Sequence, residues 1–342
     1  MKKVIIIGDD FGDIPKSSSV VKKLSESLSC DSLNGGTIDD LTNVKLYDYD
    51  LILWLANVSN NEEKHYPRKR MGSVLICSKV IHDDVTDVDA VSRIFKMNGN
   101  AVISIRTSEK PFTFKLIDAL GNVWCDTSDL QLLCDTISKF YDFTKSSIRY
   151  NTISVSDEKL QLTNYQPFIS LNKLVADKSE AMGGRYFGNC STRCEKMFPS
   201  ARYGKKFLVS KRNVDKSRIS CDDMVMVNLN GETVEYNGLN KPSVDTPIQL
   251  KLYQLYPCIK YMIHGHFYIE GAPFTEHYNL CGDVREVQSI VDIITKTGKD
   301  MDGVINLKNH GFLMYASSIF ELVTLIRNSK FIKRQIGEEL TF

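Results

Sequence analysis

The sequence predicts an α/β protein of two domains, the first a Rossmann-like open sheet of mostly parallel strands. Short β-branched apolar runs alternate with amphipathic helical stretches through the first half. A polar, serine-rich stretch from Thr144 to Asp157 then breaks that alternation. The chain has 342 residues, more than the roughly 100–200 of one domain. The expected domains are residues 1–150 and 160–342.

In chain order, Val4–Ile7 is a β-branched run closed by Gly8, as in a buried parallel strand. Pro15 and the following serines suit a helix start, and Val20, Val21, Leu24 and Leu28 give helical spacing from Ser17 to Leu28. Leu51–Ala56 and Ser73–Cys77 read as further strands, Val88–Met97 as a helix and Ala101–Ile105 as a strand. Phe112–Ile117 and Asn122–Trp124 form a hairpin about Gly121, and Leu130–Phe143 is an amphipathic helix.

The turn after the first strand holds Gly8, Asp9, Asp10, Phe11 and Gly12. It is not a complete G-x-G-x-x-G and lacks the G-K-[ST] of a P-loop. Asp9, Asp10 and Asp13 would repel a pyrophosphate at the helix N-terminus. This disfavours dinucleotide binding and leaves two readings of the first half. It is a scaffold or partner-docking domain, or it takes another small ligand at the carboxyl ends of its strands. No cofactor-binding residue is assigned here. His65 sits in the basic run Lys64–Arg70, which reads as a solvated loop, and His82 precedes Asp83 and Asp84 with no evident partners.

Apolar residues make up 42% and charged residues 25%, ordinary for a soluble protein. With 43 basic and 42 acidic side chains the net charge is +1, which gives no large field to gather nucleic acid or anionic lipid. Nine cysteines without regular spacing read as reduced thiols of a cytoplasmic protein; Cys190 and Cys194 have no second pair to complete a zinc ribbon. Met1–Ile7 is too short for a signal-peptide core, and no stretch reaches the ~20 apolar residues of a membrane span.

The second half concentrates the histidines. Tyr261–Glu270 places His264 and His266 two apart after an apolar run, so on a strand both face the same side. His310 follows at another strand–turn, within Asn306–Tyr315. Three imidazoles can hold a zinc ion and leave a position open to substrate. Spacing alone also allows satisfied core histidines.

Motifs in order add to this. Gly188-Asn-Cys-Ser-Thr-Arg193 reads G-N-x-S-x-R, and Phe207–Ser220 holds a strand, a loop and Val214-Asp-Lys216. Asp222–Leu229 precedes the turn Asn230-Gly231. Lys241-Pro-Ser-Val-Asp-Thr-Pro247, His264-Gly-His266 and Asn309-His-Gly311 follow. From about Gly183 onward the sequence therefore resembles the class II aldolase/adducin family, with its G-N-x-S-x-R, K-P-S-S-E-x-P, H-[TS]-H and N-H-G motifs. No such resemblance is seen in the N-terminal half.

The resemblance implies an α/β/α domain with a mainly antiparallel central sheet. It implies zinc, or another divalent metal, held by His264, His266 and His310, and a homo-oligomer, a tetramer being favoured. It implies lyase chemistry on a small anionic hydroxy-ketone such as a sugar phosphate, through a metal-stabilised enolate. Epimerisation and dehydration belong to the same family, and an adducin-like binding module without chemistry is the alternative. Asp245 stands where the family has its proton-transferring Glu, one methylene shorter. It could instead cap a helix beginning near Pro247. Asn189, Ser191, Ser210, Lys211, Arg212 and Ser243 are the expected substrate-binding residues. Val244 replaces a family serine, and Asn213, which tolerates positive φ, replaces a glycine. Lys211 and Arg212 could equally be solvated loop cations. Glu270–Cys281 is expected over the site, with Glu276 and His277 as possible proton carriers or surface residues.

Overall fold

The computed structural model describes residues 2–8, 17–56, 72–81, 86–107, 111–156, 165–176, 185–194, 207–335, 337 and 340. The Asp9–Asp13 turn, Pro15, the Lys64–Arg70 run with His65, and His82 with its two aspartates lie outside them. The chain divides into two compact units. One is Met1–Ser146 joined by the last residues from Gln335; the other is Ser147–Ala181 with Arg185–Arg334.

The first unit is an open sheet of seven strands in the order β2-β1-β3-β4-β5-β6-β7. These are β1 (Val4–Ile7), β2 (Asp31–Leu33), β3 (Leu51–Trp54), β4 (Val74–Ile81), β5 (Ala101–Arg106), β6 (Thr113–Asp118) and β7 (Val123–Thr127). The strands from β2 to β5 are parallel, and β6 and β7 add the antiparallel hairpin read from the sequence. The winding reverses between β1 and β3, as in doubly wound sheets. β1 and β3 are buried along their whole length, which is why they read as unbroken apolar runs rather than alternating ones. The helices are α1 (Ser17–Leu28), α2 (Ile38–Asn43), α3 (Asp87–Lys96) and α4 (Leu130–Ser146). The chain end returns to this unit, where Gly337 N donates to Gly121 O and Leu340 N to Val123 O, each at 2.9 Å.

The second unit has eight strands in the order β15-β16-β13-β9-β10-β11-β12-β8. They are β8 (Asn151–Ser156), β9 (Asn189–Arg193), β10 (Phe207–Ser210), β11 (Met224–Asn230), β12 (Thr233–Asn237), β13 (Tyr261–Gly265), β15 (Gly303–Leu307) and β16 (Gly311–Ala316). β14 (Tyr268–Ile269) pairs separately with β17 (Phe331–Ile332). All pairs in the large sheet are antiparallel except β12–β8. The helices are α5 (Gln166–Ala176), α6 (Thr246–Leu255), α7 (Glu286–Thr297) and α8 (Ile319–Asn328).

Alternation along these strands builds two cores. Val209, Val227, Met262 and Leu313 pack with Leu250, Tyr253, Ile290 and Ile294 of α6 and α7. Leu208, Met226, Ile263 and Met314 pack on the other side with Phe168, Ile169 and Leu322 of α5 and α8. The result is the three-layer α/β/α arrangement expected for this half. The second unit begins at Ser147 because the polar stretch after α4 supplies the edge strand β8, where a break was read.

Candidate functional site

The site lies on the α6–α7 side of the large sheet, in the second unit. His264 follows Met262 by two residues on β13 and so shares its face. β13 ends at Gly265, so His266 sits in the bend beyond the strand rather than on it. This corrects the expectation of two histidines side by side on one strand. His310 lies in the turn between β15 and β16, after Asn309 at φ 55°. Gly311 permits the approach of that turn: a Cβ there would overlap the carbonyl oxygen of Gly265 and lie 2.9 Å from Cα of His266.

The three imidazoles converge. Their ring centroids are 4.8 Å (His264–His310) and 5.1 Å (the other two pairs) apart. One ring nitrogen of each lies within 4.8 Å of the others. His264 Nδ1 is 2.7 Å from the backbone oxygen of Phe312. A carbonyl only accepts, so Nδ1 carries the proton and Nε2 presents a lone pair. That Nε2 is buried and has no hydrogen-bond partner among the described residues. A buried lone pair left bare costs free energy unless something meets it, and a cation does so. His310 Nδ1 lies 3.0 Å from Glu286 Oε1, with both side chains almost wholly enclosed. Its Nε2 points to Cys281 Sγ at 3.3 Å. His266 is half-buried and stacks on Phe187, with ring centroids 4.7 Å apart.

Burial and the neighbouring His310 push His264 down to about 4. Burial, His264 and His310 hold His266 well below the ordinary imidazole range. Burial opposes charge on His310 too, but Cys281 and Glu286 beside it carry its pKa well above that range. Burial raises Glu286. Two neutral imidazoles in a buried cluster are in the state that binds metal. The donor set, its convergence and the bare Nε2 fit a divalent metal of the zinc type.

Asp245 occupies the N-cap position of α6, but its side chain makes no cap bond to that helix. Its Oδ1 accepts from Gly282 N at 2.8 Å and its Oδ2 from Asn189 Nδ2 at 3.1 Å. Oδ2 stands 3.9 Å from the bare Nε2 of His264. Asn189 Nδ2 also reaches Ser243 Oγ at 3.1 Å, and its Oδ1 accepts from Gln249 Nε2. Gly188, at φ 76°, brings this strand end in, since a Cβ there would lie 2.5 Å from the His264 oxygen. Thus Asn189, Ser243 and Asp245 gather at His264.

Ser191, Ser210 and Lys211, three other expected substrate contacts, do not gather there. Ser191 lies under α6 with its hydroxyl 3.0 Å from Tyr253 Oη. Ser210 Oγ accepts from Cys190 N at 3.2 Å. Lys211 Nζ pairs with Asp223 at 2.5 Å. Ser191 and Ser210 are engaged in holding the fold, because polar atoms enclosed beside a sheet must find partners, and the partly exposed Lys211 is taken up by its ion pair. Arg212 is exposed, beside Asn213, which does take positive φ (57°). Glu276 and His277 are exposed, so the Glu270–Cys281 segment reaches the histidines through Cys281 instead. Glu286, Cys281, Gln249 and Phe187 are site residues that the sequence reading missed. The one available signal was an acidic residue opening a helical stretch.

Residues 168–268 match the family model of the class II aldolase and adducin N-terminal domain, so the second unit carries a class II aldolase segment. His310, Cys281 and Glu286 lie beyond the matched residues. Over 60 residues the chain is 37% identical to "Probable L-ribulose-5-phosphate 4-epimerase UlaF" of Mycoplasma pneumoniae, covering 18% of this chain and 24% of that protein. The chain therefore spans about a quarter of the length of that curated relative. Among solved structures it is similar to an L-fuculose 1-phosphate aldolase, at TM-score 0.37 and 16% identity over 49% of this chain and 82% of the other. It is also similar to YgbL of Escherichia coli, at TM-score 0.35 and 16% identity over 50% and 94%.

Proposed function

We propose that the second unit is a metal-dependent lyase of the class II aldolase type, acting on a small anionic hydroxy-ketone of the sugar-phosphate kind. The bare, buried Nε2 of His264 among two further histidines carries this reading. His264, His266 and His310 would hold zinc or another divalent ion. Such an ion polarises substrate carbonyl and hydroxyl oxygens and offsets negative charge developing on them.

The chain's own residues supply the rest. Asp245 is the proton carrier. In the cleavage direction the substrate hydroxyl gives up its proton and becomes a carbonyl as the carbon–carbon bond breaks. The electron pair stays on the carbon beside the first carbonyl, and Asp245, having taken up a proton, returns it to that carbon. Condensation runs the same transfer in reverse. Each carboxylate oxygen has a second lone-pair site beyond the Gly282 and Asn189 bonds, so Asp245 can still take a proton. Those two bonds fix the carboxylate so that it need not reorganise during the transfer. Phe187 stacks on His266 and covers one face of its ring. Ser243, beside Asn189, is the expected donor left within reach of an anionic substrate. Assembly as a homo-oligomer, a tetramer being favoured, belongs to the same proposal and rests on the family resemblance. No helix among the described residues is long and apolar enough to cross a membrane. Epimerisation by cleavage and rejoining is the second reading, favoured by the 60-residue match to the UlaF protein.

The test is metal content. Chelator-free wild-type protein and His264→Ala are compared by mass spectrometry. About one zinc per chain, lost in the variant, is expected. No metal in the wild type, even after zinc is offered, would replace this reading with an adducin-like binding module.

A further inference from the structure

Cys281 is the one thiol that the described structure places among the histidines. Its Sγ, His310 Nε2 and a carboxylate oxygen of Asp245 all lie within 4.8 Å of one another. His310 is therefore shared between two clusters of ligand-type atoms, one with His264 and His266 and one with Asp245 and Cys281. The Sγ–Nε2 separation is 3.3 Å. Zinc–sulfur and zinc–nitrogen bonds of roughly 2.3 and 2.0–2.1 Å at a tetrahedral angle place the two donor atoms about 3.5 Å apart. The observed spacing, which is also that of a hydrogen bond, lies close to that of two ligands on one ion. The bare Nε2 of His264, in the histidine cluster that shares His310 with Cys281, is an independent sign that a cation belongs beside His310.

Neighbouring contacts fix the thiol in place. Gly282, the next residue, donates its N–H to Asp245 Oδ1 at 2.8 Å. Asp283 N closes a turn onto Leu280 O at 2.9 Å. Cys281 is half-exposed, so a ligand can enter beside it.

We propose that Cys281 is a further protein ligand of the metal, bound on the His310 side of the site at a position that substrate must open or share. This rests on the reading that the three histidines hold a divalent ion. In binding, a metal–sulfur bond forms, the S–H bond breaks, and its proton leaves to solvent. A soft thiolate favours zinc or cobalt over magnesium or manganese. It also closes the position that an open catalytic site keeps free, so the resting site differs from the one that engages substrate.

Cobalt-substituted full-chain protein reads this directly. Wild type is expected to show both the visible cobalt bands and a near-ultraviolet thiolate-to-cobalt charge-transfer band. Cys281→Ser should keep the visible bands, lose the charge-transfer band and bind zinc at least about tenfold more weakly, the scale of losing even an outer partner of a ligand. X-ray absorption on zinc-loaded wild type needs no variant and should show one sulfur neighbour at about 2.3 Å. Visible bands without a charge-transfer band, only nitrogen and oxygen neighbours around zinc, or a charge-transfer band surviving in Cys281→Ser would each overturn the proposal and leave the histidine site standing. Failure of wild type to bind cobalt or zinc at all would overturn both.

Discussion

Glu286 is a sensitive place to perturb the proposed metal site without touching a ligand. Its Oε1 lies 3.0 Å from His310 Nδ1, in surroundings where the two side chains are 4% and 0% exposed. A carboxylate accepting that N–H fixes the tautomer and leaves Nε2 as the ligand atom. Glu286→Gln keeps the shape and an acceptor oxygen but removes the charge. Hydrogen bonds to charged groups contribute about 1.5–3 kcal/mol and neutral ones about 0.5–1.5 kcal/mol. The variant should therefore lose about 1–1.5 kcal/mol of support for His310. At about 1.4 kcal/mol per decade, zinc affinity should fall roughly tenfold. Glu286→Ala also strands the buried N–H and should approach a hundredfold loss. Competition against a chromophoric chelator measures both, with Glu276→Gln as the exposed control expected to change nothing. Unchanged zinc affinity in Glu286→Gln, or an equal loss in the control, would refute the orienting role.

Three further outcomes follow from the same geometry. Asp245→Asn should retain metal and lose about a hundredfold to ten-thousandfold in turnover, checked by metal analysis beside steady-state rates on sugar phosphates. Gly311→Ala should lose metal, because its Cβ would overlap the Gly265 carbonyl and drive the His310 turn from His266; zinc titration of the folded variant checks this. In metal-free protein, His264 titrates near 4 when folded against an ordinary 6.5, so the folded state binds fewer protons between those values. Its contribution is then fully present above pH 6.5 and is lost as pH falls through the folded value. The ceiling is about 3 kcal/mol at about 1.4 kcal/mol per unit. Urea unfolding should show wild type losing up to that much more stability than His264→Gln between about pH 7 and about pH 4.5; parallel losses would contradict it.

Much of the fold was legible because burial on both faces leaves a simple mark. β1, β3 and β5 are short, largely apolar runs, and their parallel pairing follows from the helices between them. β8 left no such mark. Its residues are mostly exposed, with Ile153 and Val155 near half, and it is held by backbone bonds to β12 at the sheet edge. Backbone bonding at an edge asks nothing of the side chains, so a polar stretch read as a break. The histidines were legible because their type, spacing and neighbouring motifs agreed. Ser191 shows the opposite case. Its place in a motif suggested a ligand contact, but Asn189, Ser191 and Arg193 alternate along one face of β9 and meet α6 in succession. The first member of that face reaches Asp245, while the others bond Tyr253 beneath the helix.

The shorter carboxylate at position 245 and the segment after β13 are best understood together. A carboxylate one methylene short would be poorly placed if it hung alone from the helix start. Here Gly282, at φ 75°, turns its N–H onto Oδ1, and a Cβ on that residue would stand 2.8 Å from the Val244 carbonyl. The close approach that positions Asp245 therefore requires glycine at 282. Residue 281, one step back along the same turn, then has its side chain aimed at His310. One tight turn thereby holds the carboxylate and presents the thiol. The carboxylate and this turn are coupled in space although 37 residues separate Asp245 from Gly282 in sequence. A change that relaxes the turn should disturb proton transfer and the metal site together, whereas Cys281→Ser should disturb the metal alone.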